Sequence, residues 1–277
     1  MRQLAERAYF VLCLALGRLL RSTRYSAVRI AVQDADLRVR KHRLFYASLL
    51  VWLGEPLMQI LNTGVRFLHQ GDWAERERVV YRRVYGSSIS IEARGVLLLP
   101  VLPGRTLAEV LEDPDVVESV RQRAIVRAVV ALAEFHRLGF THGDAMAENV
   151  LVDFEDGVAR WFDFETVHDS NRPTTWRRAD DVRALLSSCL LRTVTKRRAG
   201  ILQLILDSYA DEAVIRVLTS SFVSAWQRSL TFHLGQAALS FQCFEEIAGL
   251  LMERVESRTY IGDRKDPGTQ ELTHAEK

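Results

Sequence analysis

The sequence predicts an α+β protein in which a small lobe of strands and helices precedes a larger, mainly helical lobe. Strand-like segments lie within the first hundred residues, and segments with helical periodicity dominate the rest of the chain. Between them, residues 100–104 read Pro-Val-Leu-Pro-Gly, a sequence that interrupts regular structure. The chain has 277 residues, 48% of them hydrophobic, which is enough to form two packed lobes.

The small lobe is predicted to contain an antiparallel sheet. Residues 27–32 and 37–43 are strand-like and are joined by a polar turn, and residues 96–99 form a continuous apolar segment typical of a buried strand. Residues 73–85 have the periodicity of a helix. Residues 44–70 are predicted to be an insertion, for which the sequence indicates no definite shape.

The large lobe is predicted mainly from helix-capping signals. Residues 106–109 have the pattern of a capping box and should begin a short helix. Asp113-Pro114 predicts the start of a long helix that Gly139 ends. Residues 155–157 form a predicted turn between two short strands, and residues 179–256 are predicted to be helical.

These segments predict four parts of the chain. They are an amphipathic helix at residues 1–21, a small lobe at 22–102 with the insertion 44–70, a helical lobe at 103–257, and a disordered tail at 258–277. Residues 1–43 hold ten Arg or Lys residues and three acidic residues, although the net charge of the whole chain is only +2. This local excess predicts an anionic neighbour for the N-terminal part.

Lys41 stands out within the second strand. Alternation places Leu37, Val39 and Lys41 on one face of this strand, with Arg38 and Arg40 on the other. A charged lysine on an apolar face is costly unless an opposite charge accompanies it. The pattern therefore predicts a function for Lys41.

Three polar residues in the large lobe have the chemistry that phosphoryl transfer requires. Asp144 could accept a proton from a hydroxyl group, and Asn149 and Asp163 follow it at intervals of five and fourteen residues. Transfer from ATP depends on aligning the acceptor hydroxyl and neutralising the phosphate charge. Mg²⁺ prefers oxygen ligands of the kind that Asn149 and Asp163 provide.

The motif His142-Gly143-Asp144-x4-Asn149, followed by Asp163-Phe164-Glu165, resembles the catalytic loop and metal motif of the protein-kinase-like superfamily. In particular it is similar to an atypical bacterial branch that includes lipopolysaccharide-core kinases, RIO-like Ser/Thr kinases, and aminoglycoside or choline phosphotransferases. The resemblance implies a bilobal protein-kinase-like fold, with ATP and Mg²⁺ as cofactors. It also implies that Asp144 is the catalytic base and that Asn149 and Asp163 bind the metal.

The resemblance extends to the nucleotide site. Lys41 resembles the strand lysine that contacts the phosphates, and Glu77 resembles the helix carboxylate paired with it, with Glu75 as the alternative partner. At the hinge, adenine needs one backbone acceptor and one donor. Pro100 can accept a hydrogen bond, and Leu102 is the natural donor because Pro103 lacks an N–H group.

Three further residues of the large lobe receive an interpretation. His142 is interpreted as a packed structural histidine rather than a base, because the nearby Asp144 has that role. Asp181 resembles the acid that braces the catalytic loop in the superfamily. His136 is interpreted as a helix-face residue without a role.

The sequence departs from the superfamily pattern in several places. No Gly-rich phosphate-covering motif precedes the strands, where residues 21–26 read Arg-Ser-Thr-Arg-Tyr-Ser. Gly143 replaces the arginine that many protein kinases use to sense phosphorylation, and no Ala-Pro-Glu follows. Glu165 replaces the glycine that permits backbone flipping. Regulation by activation-loop phosphorylation is therefore not expected.

The sequence thus predicts a kinase that transfers the γ-phosphate of ATP to a hydroxyl group. The acceptor is a lipopolysaccharide-type sugar or glycolipid, or a protein Ser/Thr, and the alternative is a pseudokinase or ATP-binding scaffold. No nucleic-acid motif accompanies the basic residues. The expected location is the cytoplasm, and the N-terminal helix either packs on the small lobe or contacts an anionic membrane at the inner face of the cell membrane.

Overall fold

The computed structural model describes residues 26–33, 36–60, 64–93, 95–223 and 245–254. It has the predicted α+β class, with antiparallel sheets and a helical C-terminal part. The predicted helix 1–21, the tail 258–277 and all but the last residue of segment 21–26 lie outside the described residues. The division into four parts therefore stays a prediction.

A four-stranded antiparallel sheet forms the small lobe, with the strand order β1-β2-β5-β4. Its strands are β1 (Ser26–Gln33), β2 (Asp36–Arg43), β4 (Ser90–Ala93) and β5 (Val96–Pro100). In the register, Val28 lies opposite Lys41 and Lys41 lies opposite Leu97. Because directly opposed residues share a face, Val28, Lys41 and Leu97 lie on the same side of the sheet.

The insertion between β2 and β4 is mostly helical. It contains helix α1 (Phe45–Ile60), with Pro56 inside it, and the short strand β3 (Val65–Phe67). Helix α2 (Gln70–Tyr85) follows and ends at Gly86, whose left-handed backbone has a φ of 63°. Strand β3 pairs with β9 (Thr166–His168), which comes shortly after the Asp163-Phe164-Glu165 motif. The insertion therefore contacts the large lobe directly.

The large lobe is built from helices around a small sheet. Its helices are α3 (Leu107–Glu112), α4 (Glu118–Arg137), α5 (Thr174–Leu191), α6 (Arg198–Tyr209) and α7 (Glu212–Val223), and residues 245–254 are also helical. Strands β6 (Arg105–Thr106), β7 (Val150–Val152) and β8 (Ala159–Trp161) form the sheet. The capping box predicted at residues 106–109 is present, with reciprocal hydrogen bonds between Thr106 and Glu109.

The predicted start of the long helix was wrong. Helix α4 begins at Glu118, with Val117 as its N-cap, and not at Asp113-Pro114. The Asp113 carboxylate accepts a hydrogen bond from the Asp115 N–H and pairs with Arg105, so it stabilises a turn instead. An aspartate before a proline is compatible with the start of a helix and also with a turn. The tertiary contact of Asp113 with Arg105 favours the turn.

One hydrophobic core runs through the small and the large lobe. It joins Trp73 and Tyr81 of α2 and Leu97 of β5 to the apolar face of α4 and to the later helices. Buried residues of α4 recur at intervals of three and four: Ala124, Ile125, Ala128, Val129, Leu132, Phe135 and His136. None of the helices in the described part of the chain is long and apolar enough to cross a membrane.

Candidate active site

Asp144 lies in the loop of residues 141–149, which connects α4 to β7 and is called the catalytic loop below. The side-chain amide of Asn149 donates hydrogen bonds to the Asp144 carbonyl oxygen (2.8 Å) and to its Oδ2 atom (3.0 Å). The structure thus brings these two predicted residues together. Because the NH₂ end of Asn149 is directed to Asp144, its carbonyl oxygen is the end suited to a metal ion.

Asp181 of helix α5 holds the backbone of the catalytic loop through two hydrogen bonds. Its two carboxylate oxygens accept hydrogen bonds from the N–H groups of His142 (2.7 Å) and Gly143 (2.8 Å). Burial opposes ionisation, but the charge of His168 and a hydrogen bond from His136 outweigh it and hold the pKa of Asp181 far below its usual range. Asp181 therefore stays ionised and keeps both amides in place.

Gly143 suits this position for two reasons. Its φ of 82° lies in the left-handed region, which favours glycine. A Cβ atom there would lie 3.1 Å from the Thr166 hydroxyl oxygen and 3.2 Å from the Val167 backbone nitrogen. The close approach of β9 and the left-handed backbone therefore both disfavour a larger residue at this position.

His142 is fully buried and is placed to remain neutral. Its Nε2 atom lies 2.9 Å from the Phe162 carbonyl oxygen, and its Nδ1 atom accepts the Asp144 N–H at 3.3 Å. A proton on Nε2 satisfies both contacts. Burial is the main cause that lowers the pKa of His142 to about 4. This geometry suits a positioning role for His142 and not that of a base.

Lys41 lies at the centre of a cluster of carboxylates. Its Nζ atom is 2.8 Å from Glu77 Oε1, 2.5 Å from Asp163 Oδ1 and 3.1 Å from Glu165 Oε1. Burial disfavours the charged lysine, yet the three carboxylates together raise the pKa of Lys41 well above its usual value. Of the two candidate partners on α2, Glu77 contacts Lys41, while Glu75 is paired with Arg78 at the surface.

Glu77 also fixes the backbone beside Asp163. The same oxygen that contacts Lys41 accepts a hydrogen bond from the Phe164 N–H at 3.1 Å. The Phe164 ring is fully buried and stacks on Phe135, with ring centroids 5.4 Å apart. Asp163 itself has a φ of 68°, which is unusual for a residue other than glycine and typical of strained functional positions.

Glu165 is a site residue that sequence reasoning missed. Besides Lys41, its carboxylate contacts Arg43 at 3.1 Å and accepts a hydrogen bond from the Ser26 hydroxyl. In the sequence, Glu165 was interpreted only as a replacement for the glycine that the superfamily has at this position. A carboxylate two residues after Asp163 is the signal that could have indicated a further partner for Lys41. Together, three carboxyl groups (Glu77, Asp163, Glu165) face two cations (Lys41, Arg43), and burial raises the pKa of Glu77 and of Asp163.

The oxygen donors of Asp163 and Asn149 fit a bound Mg²⁺. The Asp163 side chain is 39% exposed, so its carboxylate is accessible from outside the protein. Within the described residues, no group of three or more His, Cys, Asp or Glu side chains is arranged as a complete metal site. A metal held by Asp163 and Asn149 would therefore need further oxygen ligands from nucleotide phosphates and water.

The interpretation of His136 as a residue without a role was wrong. His136 is buried, and its ring nitrogens lie 2.6 Å from the Tyr209 hydroxyl and 2.9 Å from Asp181 Oδ2. It belongs to the buried face of α4. The spacing of the apolar residues along this helix is the signal that could have predicted the burial of His136. A second histidine, His168, contacts Thr141 (2.9 Å) and Asp180 (3.1 Å), so both histidines support the catalytic loop or the acids beneath it.

Comparison with known families agrees with this geometry. Residues 88–205 match the model of the Lipopolysaccharide kinase (Kdo/WaaP) family. The chain is a protein-kinase-like phosphotransferase. The match confirms the predicted superfamily and the predicted class of enzyme, a kinase that acts on a hydroxyl group. It includes the catalytic loop, Asp163 and Asp181, whereas Lys41 and Glu77 precede it. No curated protein matches the chain.

In this kinase the hinge residues lie where the small and large lobes join. Pro100 is the last residue of β5 and lies opposite Arg38 of β2. Leu102 lies in the loop that follows and packs, half-buried, against the core. The contact of these residues with adenine stays a prediction.

Lys41 and Glu77 should behave as one unit. We expect Lys41→Ala and Glu77→Ala each to reduce ATP-dependent activity by about tenfold or more, and the double variant to cost less than the sum of the two effects. The reason is the 2.8 Å contact between the two side chains. Initial rates over a range of ATP concentrations would measure this coupling. Glu75→Ala is the matched control, and purely additive effects of Lys41 and Glu77 would contradict the pairing.

The buried, neutral His142 predicts a loss of stability in mild acid. Its folded pKa of about 4 lies below the unfolded value of about 6.5, so the unfolded chain gains a proton first as the pH falls. Stability should therefore decrease between about pH 6.5 and pH 4, by about 3 kcal/mol from this residue. Urea unfolding at several pH values would show it. A His142→Asn variant should have a flatter profile, and an equally steep one would contradict the assignment.

Proposed function

We propose that this protein is an ATP- and Mg²⁺-dependent kinase that transfers the γ-phosphate to a hydroxyl group of a lipopolysaccharide-type sugar or glycolipid. The observation that carries the proposal is the Asp144–Asn149 pair, held by Asp181, within the stretch that matches the lipopolysaccharide kinase model. The name of that family favours a glycolipid acceptor over a protein Ser/Thr. A protein acceptor remains the second candidate because the superfamily is wide.

The small-lobe sheet supports the proposed nucleotide site. Val28 and Ile30 are 59% and 75% exposed, although both are apolar. They lie on the same face as Lys41, opposite Lys41 and Val39 in the register. An exposed apolar face next to a buried lysine suits a ligand that combines a flat base with phosphates, as ATP does.

Each site residue has a distinct task in the proposed reaction. Asp144 accepts the proton of the acceptor hydroxyl, and the Asn149 amide fixes the direction of its carboxylate. Lys41 offsets the negative charge of the phosphates, and Glu77 together with Glu165 keeps its ammonium group in position. Asp163 and Asn149 would hold Mg²⁺, which when bound adds further positive charge beside the phosphates.

Transfer of label from [γ-³²P]ATP tests the proposal. The purified protein is incubated with lipopolysaccharide, with core oligosaccharide freed of lipid, and with a protein mixture, each with Mg²⁺ or with EDTA. We expect Mg²⁺-dependent labelling of the lipopolysaccharide or its oligosaccharide, and none with Asp144→Asn. Labelling of the protein mixture alone would favour the second candidate. If ATP binds but no acceptor is labelled, the proposed acceptor class is wrong.

We also propose that helix α1 contacts an anionic membrane at the cytoplasmic face, where a glycolipid acceptor would be available. Five large apolar side chains of α1 are between 42% and 63% exposed: Tyr46, Leu49, Leu50, Trp52 and Leu53. Residues 44–54 include no charged residue. In the sequence, residues 1–43 hold ten Arg or Lys residues and three acidic residues. An apolar, tryptophan-containing helix face in a chain with such a basic segment is typical of membrane-surface contacts.

Flotation with liposomes tests this contact. Binding should rise with the fraction of anionic lipid, fall with added salt, and decrease at least about fivefold in a Leu49→Glu/Trp52→Glu variant, because charges on the apolar face oppose burial. Val130→Glu is the control, since Val130 is also 53% exposed but lies on α4. If wild-type protein stays unbound at low salt, or if both variants lose binding equally, α1 is not the membrane contact.

A further inference from the structure

We infer that Arg76 is a positioning residue that fixes the catalytic loop to helix α2. It would thereby hold Asp144 at a fixed position relative to Lys41 and Glu77. The Nη2 atom of Arg76 donates a hydrogen bond to the Thr141 carbonyl oxygen at 2.6 Å. Thr141 immediately precedes His142, and Arg76 immediately precedes Glu77. One short bond therefore joins the backbone that presents Asp144 to the helix that orients Lys41.

Several other hydrogen bonds that hold this loop come from within the large lobe. Asp181 of α5 accepts the N–H groups of His142 and Gly143, and the Asn149 side chain lies in the loop itself. Arg76 approaches from a different helix and contacts the carbonyl oxygen, a group that Asp181 cannot hold. Asp181, Asn149 and Arg76 thus act on different atoms of the same backbone segment.

Arg83 of α2 also lies over the Phe140 ring, 5.5 Å from its centroid, but among the described residues it forms no hydrogen bond to the loop backbone there. Two further hydrogen bonds between described residues attach α2 to the large lobe, and they end elsewhere. Glu77 accepts the N–H of Phe164, and the Tyr85 hydroxyl donates to the Trp161 carbonyl oxygen. These contacts fix α2 relative to the metal motif and to β8. Loss of Arg76 would leave both of them intact and would free the catalytic loop on one side.

The charge of Arg76 suits a persistent hydrogen bond to the Thr141 carbonyl oxygen. Burial lowers the pKa of Arg76, and the negative charges of Asp181 and Glu77 act against this decrease. The guanidinium group remains charged because an arginine loses its proton only at very high pH. A charged donor forms a shorter and stronger hydrogen bond with a carbonyl oxygen than a neutral donor does.

The inference rests on the proposed function, in which Asp144 must align the acceptor with a phosphate bound near Lys41. Lys41 contacts both Glu77 and Asp163 without Arg76, so nucleotide affinity should not depend on Arg76. Misplacement of a catalytic group by about 1 Å reduces turnover by up to about 100-fold. We therefore expect Arg76 variants to change turnover and to leave nucleotide binding unchanged.

The test compares Arg76→Met and Arg76→Lys with Arg78→Met. Arg78 is the matched control because it lies on the same helix and, among the residues that the structure describes, forms a salt bridge only with the exposed Glu75. Three quantities are measured on the full chain: the Kd of a non-hydrolysable ATP analogue with Mg²⁺, the rate of γ-phosphate release from ATP, and hydrogen–deuterium exchange of the amides of residues 141–146. None of them requires the acceptor to be known.

For Arg76→Met we expect a Kd within about twofold of wild type, a rate at least about tenfold lower, and faster amide exchange in the catalytic loop. Arg76→Lys, which retains a charged donor, should have an intermediate rate, and Arg78→Met should resemble wild type. If Arg76→Met does not fold, Arg76→Lys decides: an intermediate rate with unchanged Kd supports the inference, and a wild-type rate overturns it.

Other outcomes also decide. An equal loss of nucleotide affinity and rate in Arg76→Met would show that Arg76 belongs to the nucleotide site, and unchanged amide exchange would show that it does not hold the loop. Either result overturns the inference. Failure of the proposed function has a different signature, because wild-type protein would then bind no nucleotide or would label no acceptor, while the exchange measurement would still report on Arg76.

Discussion

Asp144→Asn is expected to lower kcat by about 100-fold or more and to leave the affinity for ATP unchanged. The substitution removes the carboxylate that accepts the hydroxyl proton, and a positioned base contributes about this factor to a reaction. The amide has nearly the same shape and can still contact Asn149, whose side chain lies 3.0 Å from Asp144 Oδ2. Steady-state rates at several ATP concentrations, together with direct measurement of ATP-analogue binding, would separate the two quantities.

Asp156→Asn provides the control for this experiment, because Asp156 follows the catalytic loop and its side chain is 63% exposed. It should retain wild-type kcat and Kd. An equal loss of kcat and of ATP affinity in Asp144→Asn would assign Asp144 a structural role in nucleotide binding. Its role as base would then have to be abandoned.

Asp163→Ala should abolish Mg²⁺-dependent use of ATP and leave the protein folded. Asp163 is the carboxylate in the proposed metal site, while Asn149 offers only a neutral oxygen. Its removal also takes one partner from Lys41, 2.5 Å away, but Glu77 and Glu165 still balance that charge. We therefore expect stability to fall by no more than about 1–2 kcal/mol. Thermal unfolding with ATP, with and without Mg²⁺, would reveal the lost metal dependence.

Asp163→Asn complements the alanine variant, because it retains the size of the side chain and removes only its charge. Both variants should lose the increase in melting temperature that Mg²⁺ adds to that of ATP. More than a tenth of wild-type turnover in Asp163→Ala would contradict the metal assignment. Loss of the folded state in both variants would instead indicate that Asp163 is mainly a counter-ion for Lys41.

Short-range patterns predicted much of the site. The spacing of Asp144, Asn149 and Asp163 along the chain depends on local loop geometry, so a linear motif can represent it. The alternation in β2 placed Lys41 on the apolar face for the same reason, because neighbouring side chains of a strand point to opposite sides. The structure shows Lys41 buried on that face, next to carboxylates.

The contacts of Lys41 could not be predicted as completely. Glu75 and Glu77 are two residues apart on one helix, and only the position of α2 against the sheet decides which one lies inside. Glu165 is 124 residues from Lys41 in the sequence, and its role became visible only when the two segments were brought together. Such pairings depend on packing between distant elements, which local patterns do not encode.

By itself, the sequence determined the α+β class, the kinase motif and the residues available for its chemistry, because these depend on periodicity and spacing within short segments. Only the tertiary structure decided that Asp113-Pro114 forms a turn, that His136 lies beneath the catalytic loop, and that Arg76 reaches Thr141. In each of these cases the local sequence is compatible with more than one environment for the residue. The contact partner that selects one environment lies elsewhere in the chain. The position of that partner depends on how the elements pack around the shared core.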